Sequence, residues 1–239
     1  MDFIRLPLSG SMNTRDLGGY PTLDGKITKF HIFLRSSNLK NITKDDEELL
    51  KKYGVTDIID LRGMTNIQDS FISDDKIDTK YFNYHYIPIS NKTSEDYIKN
   101  NIEKEEFDFG IAYYHMLENK EKIKNIFEVL ANAKGTVLYH CSAGKDRTGL
   151  ITALIFLLCG VDKKDIVANY QVTYTYVKGQ TFMTTYPPKV EKSIPKYIET
   201  FMEKLEESYN SAEEFLLSCD IKKDDLEKIK DKFLNEREY

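Results

Sequence analysis

The sequence predicts a three-layer α/β domain with a central, mainly parallel sheet of four or five strands flanked by helices. Three observations carry this. Val55–Leu61 and Thr136–His140 are short runs rich in β-branched and apolar residues, each following a glycine, as buried strands are. The segments between such runs carry apolar residues at helical spacing, the alternation that places parallel strands under crossover helices. Thr148–Gly160 is apolar on almost every side, which marks a helix buried all round.

The 239 residues are 41% hydrophobic and 31% charged, enough for a sizeable core. No linker, repeat or low-complexity tract divides them, so residues 1–239 are expected to form one domain. The net charge of −5, with no basic block, argues against nucleic acid as a partner. Three widely spaced cysteines make no disulfide framework, and Cys159 and Cys219 fall in apolar helical runs as core residues. Asp2 and the lack of a long apolar run near the start argue against a Sec-type signal. The apolar stretch from Gly149 to Val161 falls short of the ~20 residues that span a bilayer. The chain therefore reads as cytoplasmic, without an integral membrane segment; export by a signal-independent route stays compatible, and nothing fixes the oligomeric state.

Along the chain, the polar cluster Asn13–Tyr20 reads as a turn tying down the N-terminus, and Lys26–Phe33 alternates as a strand. Thr43 caps a helix with Asp46 three residues on, Leu49, Leu50 and Tyr53 form its apolar face, and Gly54 ends it. Asp60 and Arg62 stand at the carboxyl end of the strand 55–61, where ligands collect in such sheets; a site role and a local ion pair are equally open. Residues 81–88 form another strand, whose His85 has no partner at metal-ligand spacing. Residues 94–134 are helical in two or three pieces, His115 among the packing residues, and the last piece carries Ile123, Ile126, Phe127 and Leu130. Asp162 caps a helix through Ile166, Tyr170 and Tyr174, and residues 177–188 are mobile by composition. Ile194, Tyr197, Ile198, Phe201, Met202 and Leu205 then make an amphipathic stripe, Ser211 and Glu214 a capping box, and Leu226, Ile229, Phe233 and Leu234 a final helix.

The chemistry concentrates in His140-Cys141-Ser142-Ala143-Gly144-Lys145-Asp146-Arg147-Thr148-Gly149. A strand feeding a tight loop that opens a helix aims backbone N–H groups and the helix dipole at one point, an anion site suited to phosphate. Cys141 stands there as a thiolate nucleophile, favoured by the helix N-terminus and Arg147. Arg147 would hold two phosphoryl oxygens through its planar fork, and Ser142, Ala143, Gly144 and Lys145 supply the loop around the others. The Thr148 hydroxyl lies where it would stabilise the departing thiolate. Together these residues describe phosphomonoester hydrolysis without metal or cofactor, through a cysteinyl-phosphate. A catalytically silent phosphate-binding module, the reading from another class, would fit a chain lacking Cys141 or Arg147; both are present.

This ten-residue segment resembles the signature loop of cysteine-dependent protein tyrosine phosphatases. Its Gly-Lys-Asp-Arg-Thr core is similar to an atypical bacterial branch, the mycobacterial secreted tyrosine/lipid phosphatase type. The aspartate before the arginine also resembles the myotubularin phosphoinositide phosphatases, and a lysine here resembles other phosphoinositide phosphatases. Asn13-x-Arg15-Asp16-Leu17-Gly18-Gly19-Tyr20, Asp24-Gly25 and Leu34-Arg35-Ser36-Ser37 match the opening of the same bacterial family, and Asp60-Leu61-Arg62 matches further on. The acidic residues that commonly follow are replaced by Gly63–Gln68, which departs from the pattern in the 63–80 loop.

The resemblance implies a phosphorylated protein substrate, most simply phosphotyrosine. The alternatives are a phosphoinositide, with Lys145 adding charge for its head group, or broad dual specificity. It implies that His140 orients the cysteine and that residues 177–208 form a lid over the site. It also implies that Asp146 is the general acid. The usual mobile aspartate loop with its tryptophan is absent, since the chain has no tryptophan, and Asp60 is the runner-up.

Overall fold

The computed structural model describes residues 2–63, 77–179 and 188–236. Among them, five strands form the central sheet in the order β1-β3-β6-β4-β5. These are β1 (Arg15–Asp16), β3 (Phe33–Ser36), β4 (Val55–Asp60), β5 (Asn83–Tyr86) and β6 (Thr136–His140), with β2 (Lys26–Thr28) outside the sheet. The pairs β3/β6, β6/β4 and β4/β5 are parallel, and only the edge pair β1/β3 is antiparallel. The sheet is thus mainly parallel, as the sequence predicts.

Alternation within the strands sorts their side chains into two cores. Phe33, Ile59, Val137 and Tyr139 face a large helical layer, whereas Leu34, Ile58 and Leu138 face a smaller one. The smaller layer is α1 (Lys44–Tyr53) with the N-terminal segment, through Leu6, Leu8, Leu50 and Tyr53. The larger holds α2 (Lys92–Asn101), α3 (Phe109–Met116), α4 (Lys120–Asn132), α5 (Asp146–Leu158), α6 (Lys163–Val177), α7 (Pro188–Glu191), α8 (Pro195–Tyr209), α9 (Ala212–Leu217) and α10 (Lys223–Phe233). Ten residues of α5 are buried, so this helix has no solvent face. Each fully buried Leu, Ile or Phe side chain contributes about 1.5–3 kcal/mol relative to exposure. Among the described residues no helix is long and apolar enough to cross a membrane.

The Thr43 capping box forms as read, and the Asp46 carboxylate also accepts from the backbone N–H of Ser9 (2.8 Å) and Gly10 (2.9 Å). One carboxylate therefore caps α1 and fastens the N-terminal segment beside it.

Several boundaries differ from the sequence reading, for physical reasons. The expected strand 26–33 is two strands, because His31 takes a left-handed turn (φ 66°) between them. There β2 leaves the main sheet and pairs with β7 (Leu234–Glu236), so Leu234 belongs to that strand and not to the last helix. The helix expected from Thr148 begins at Asp146, which places both Asp146 and Arg147 in its first turn. Of the Ser211 capping box, the half in which Ser211 accepts from the Glu214 N–H (3.1 Å) is present. His115 is half-exposed and pairs with Glu118 (3.1 Å), so it is less buried than a packing residue. The stripe of α8 is buried in the larger core, the packing alternative to a lid. Residues 64–76 of the 63–80 loop and 180–187 of the 177–188 stretch lie outside the described residues.

Candidate active site

The carboxyl ends of β3, β4 and β6 coincide, since Ser36 and Asp60 are both in register with His140. The chain leaves β6 here into Cys141, turns through Ser142–Lys145, and enters α5. His140 and Cys141 are buried, with His140 Nδ1 3.4 Å from the Cys141 carbonyl oxygen.

The loop's carbonyls are held from outside. Asn38 donates to the Ser142 oxygen through its backbone N–H (3.0 Å) and Nδ2 (2.9 Å). Asn13 Nδ2 donates to the oxygens of Ala143 and Gly144, both at 3.0 Å, and Arg35 Nη2 to that of Gly144 at 2.7 Å. In a trans peptide the N–H points opposite its C=O, so drawing three carbonyls outward turns the following N–H groups of Ala143, Gly144 and Lys145 to the loop's other side. Gly144 is required at its position. Its φ is +67°, and a Cβ there would lie 2.5 Å from the Ser36 carbonyl oxygen.

Two buried guanidiniums lie beneath the loop. Arg35 donates to Asn169 Oδ1 (2.6 Å), and Arg15 to the Asn169 carbonyl (3.0 Å), Thr173 Oγ1 (3.2 Å) and Asn13 Oδ1. Among the described residues neither is ion-paired with a carboxylate. Burial pushes both down from the usual arginine value, and for Arg15 the neighbouring Arg35 adds to it. Among the groups that favour the charged form of Arg35 are Tyr139 and, next, Cys141. Uncompensated buried positive charge next to a loop of inward N–H groups suits an anion.

Arg147 in the first turn of α5 donates from Nη2 to Ser142 Oγ at 3.3 Å. Thr148 Oγ1 is buried and has no hydrogen-bond partner among the described residues. Lys145 points elsewhere: its ammonium is fully buried, donates to the carbonyls of Val190 and, at 3.2 Å, Lys192, and lies 4.7 Å from the Phe109 ring centroid. The charge expected to meet a head group is thus held by the 190–192 segment. The Asp146 carboxylate, which is 29% exposed, accepts at Oδ1 from the Tyr113 hydroxyl and lies 3.3 Å from Lys145 Nζ.

Asp60 is engaged differently. Its two oxygens accept from Arg62 Nε (2.9 and 3.1 Å) and Nη2 (2.7 Å), from the Arg62 N–H (2.9 Å) and from the Tyr84 hydroxyl (2.7 Å). Burial alone would raise this carboxyl, but the Arg62 hydrogen bonds, with His140 and Tyr84, outweigh it and hold it below its ordinary value. Of the two readings left open for Asp60, the ion pair is what the structure shows. Breaking it with Asp60→Asn should cost about 3–5 kcal/mol, because a buried ion pair loses one of its charges. The pair's contribution is complete above the unfolded carboxyl value of about 3.9 and is lost as pH falls through the lower folded value. Denaturant midpoints from pH 7 downward check both: the native chain should lose stability in acid, and the variant should lose less of it, since other hydrogen-bonded carboxylates such as Asp46 still titrate.

The sequence reading found His140, Cys141, Arg147 and Thr148 in their loop. It did not find the carbonyl anchors Asn13, Arg35 and Asn38, or Asn169, Tyr113 and Tyr170. The matched opening at 13–20 and 34–37 was the available signal for two of them, Asn13 and Arg35.

Known proteins resemble this chain. Residues 6–235 match the model of the tyrosine phosphatase family. A tyrosine-protein phosphatase of Nostoc commune is 34% identical over 153 residues, covering 62% of this chain and 50% of that relative. The chain thus spans about half the length of this curated relative. Among solved structures, TpbA of P. aeruginosa shares 13% identity at a TM-score of 0.41, over 85% of this chain and 96% of that one. A complex of TpbA with pTyr gives 15% identity and 0.34, over 66% and 85%.

Proposed function

The chain belongs to the tyrosine phosphatase family, and on that premise we propose that it hydrolyses phosphomonoesters, phosphotyrosine in proteins first among them, without metal. The observation that carries this is the loop after β6. Its carbonyls are anchored outward by Asn13, Arg35 and Asn38, over two buried arginines, around Cys141.

In the first step the Cys141 thiolate attacks phosphorus, the ester oxygen leaves, and Asp146 supplies its proton. Arg147 and the loop N–H groups bind the three equatorial oxygens as charge spreads over them. In the second step the Asp146 carboxylate takes a proton from water, whose oxygen attacks phosphorus, and the thiolate departs. The Thr148 hydroxyl, without a partner among the described residues, is the donor that stabilises its charge. The phosphoinositide alternative drew on Lys145, whose ammonium is held by the carbonyls of Val190 and Lys192, and on the aspartate before Arg147; the substrate comparison separates it from phosphotyrosine.

The direct test compares phosphotyrosine peptides, phosphoserine peptides and phosphoinositides in the presence of a chelator; phosphotyrosine peptides should turn over fastest. Asp146→Asn should lower kcat/KM for tyrosyl or alkyl phosphates by roughly 10²–10³-fold, the usual share of general acid catalysis. It should slow an activated aryl phosphate far less, because that leaving group needs no proton. Asp60→Asn should show no such dependence, and the ratio of two substrates on one preparation cancels its folded fraction. The reverse pattern would move the acid to Asp60.

A further inference from the structure

Two tyrosines distant in sequence line up behind one oxygen of Asp146, which its chain neighbour Lys145 also approaches. Tyr113 on α3 donates its hydroxyl to Oδ1, the Tyr170 hydroxyl on α6 lies 2.7 Å from that of Tyr113, and Lys145 Nζ lies 3.3 Å from the same Oδ1. A phenol has one proton to donate. The Tyr113 proton goes to the carboxylate, so Tyr170 is the donor between the two phenols. Burial first, then the charge of Asp146, pushes both phenols well above their ordinary value, which favours the protonated, donating form. Both side chains are fully buried, and their rings meet edge to face, with centroids 6.3 Å apart.

We infer that Tyr113, backed by Tyr170, is a positioning residue that fixes the Asp146 carboxyl, leaving Oδ2 as the oxygen that carries the proton to the leaving group. This rests on Asp146 being the general acid. A carboxyl in the first turn of a helix is otherwise free to rotate about χ1 and χ2, and a proton donor must sit within hydrogen-bond reach of one atom to act. With Oδ1 engaged, one orientation remains. The relay therefore sets which esters the site can cleave: it matters for leaving groups that must be protonated and little for those that need not be.

The test uses the full chain and kcat/KM, which covers the steps through loss of the first leaving group. Tyr113→Phe keeps the ring and removes the donor. It should lower kcat/KM for a tyrosyl or alkyl phosphate by about 10-fold or more, and for an activated aryl phosphate by less than about 3-fold. Tyr170→Phe should act in the same direction with a smaller effect. Adding Tyr113→Phe to Asp146→Asn should cause no further loss, since the two act as one unit. Equal slowing of both substrate classes, or full additivity in the double variant, overturns the inference and leaves the tyrosines as packing. If Asp146→Asn shows leaving-group dependence and Tyr113→Phe does not, the positioning role alone falls. If Asp146→Asn shows none, the acid assignment falls and takes the positioning role with it.

Discussion

Cys141→Ser is expected to abolish turnover, by roughly 10⁴-fold or more, as loss of a covalent nucleophile does, while the variant still binds a phosphate ester. Oxygen and sulfur occupy nearly the same place at the end of β6, but a serine hydroxyl there is not ionised and no base stands ready to take its proton. Binding depends on other groups: the loop N–H groups held by Asn13, Arg35 and Asn38, and the guanidinium of Arg147. Steady-state rates with a chelator present, and calorimetric titration with a phosphotyrosine peptide, measure the two halves separately. Substantial turnover by the serine variant, or a rate that requires added divalent metal, would remove the cysteinyl-phosphate from the mechanism.

The second large effect is at Arg147, where the conservative change to lysine should lower kcat/KM by roughly 10²–10³-fold, the usual loss for a transition-state donor. Charge is kept, but a lysine offers one ammonium on a flexible stem in place of two parallel donors in a plane. The first turn of α5 fixes where that plane starts, and Ser142 Oγ steadies one of its nitrogens. Stability should change little, because the contacts that hold the loop belong to Asn13, Arg35 and Asn38. A variant within about 3-fold of the parent in kcat/KM would show that charge alone suffices there, against the planar fork's expected advantage.

The part of the site that was legible in the sequence is the part that is local. Strand, nucleophile, arginine and helix follow each other between Gly135 and Leu158, so residue order alone carries their geometry. The anchors are another matter: Asn13 reaches Ala143 across 130 positions, and Arg35 reaches Gly144 across 109. No periodicity records such a contact. Tyr113 carries no signal of its own in the sequence; only the fold shows where its hydroxyl ends. Lys145 was read by its charge, but Phe109 and two backbone carbonyls decide its direction. The sheet was legible through β4 and β6, whose sides are both covered. Two-residue β1 has no pattern long enough to read, and the pairing of β2 with β7 joins residues some 200 positions apart.

The strand order has a consequence for how the molecule comes into being. β6 lies between β3 and β4, yet it follows β4 by some 75 positions. As the chain emerges from the ribosome, β3 and β4 wait with the edges they will later share with β6 exposed, each a template for the wrong neighbour. The strand that fills that gap is the one ending at Cys141, and its arrival brings together Asn13, Arg35 and the loop they hold. Completion of the sheet and assembly of the loop after β6 therefore come together, late in the order of the chain.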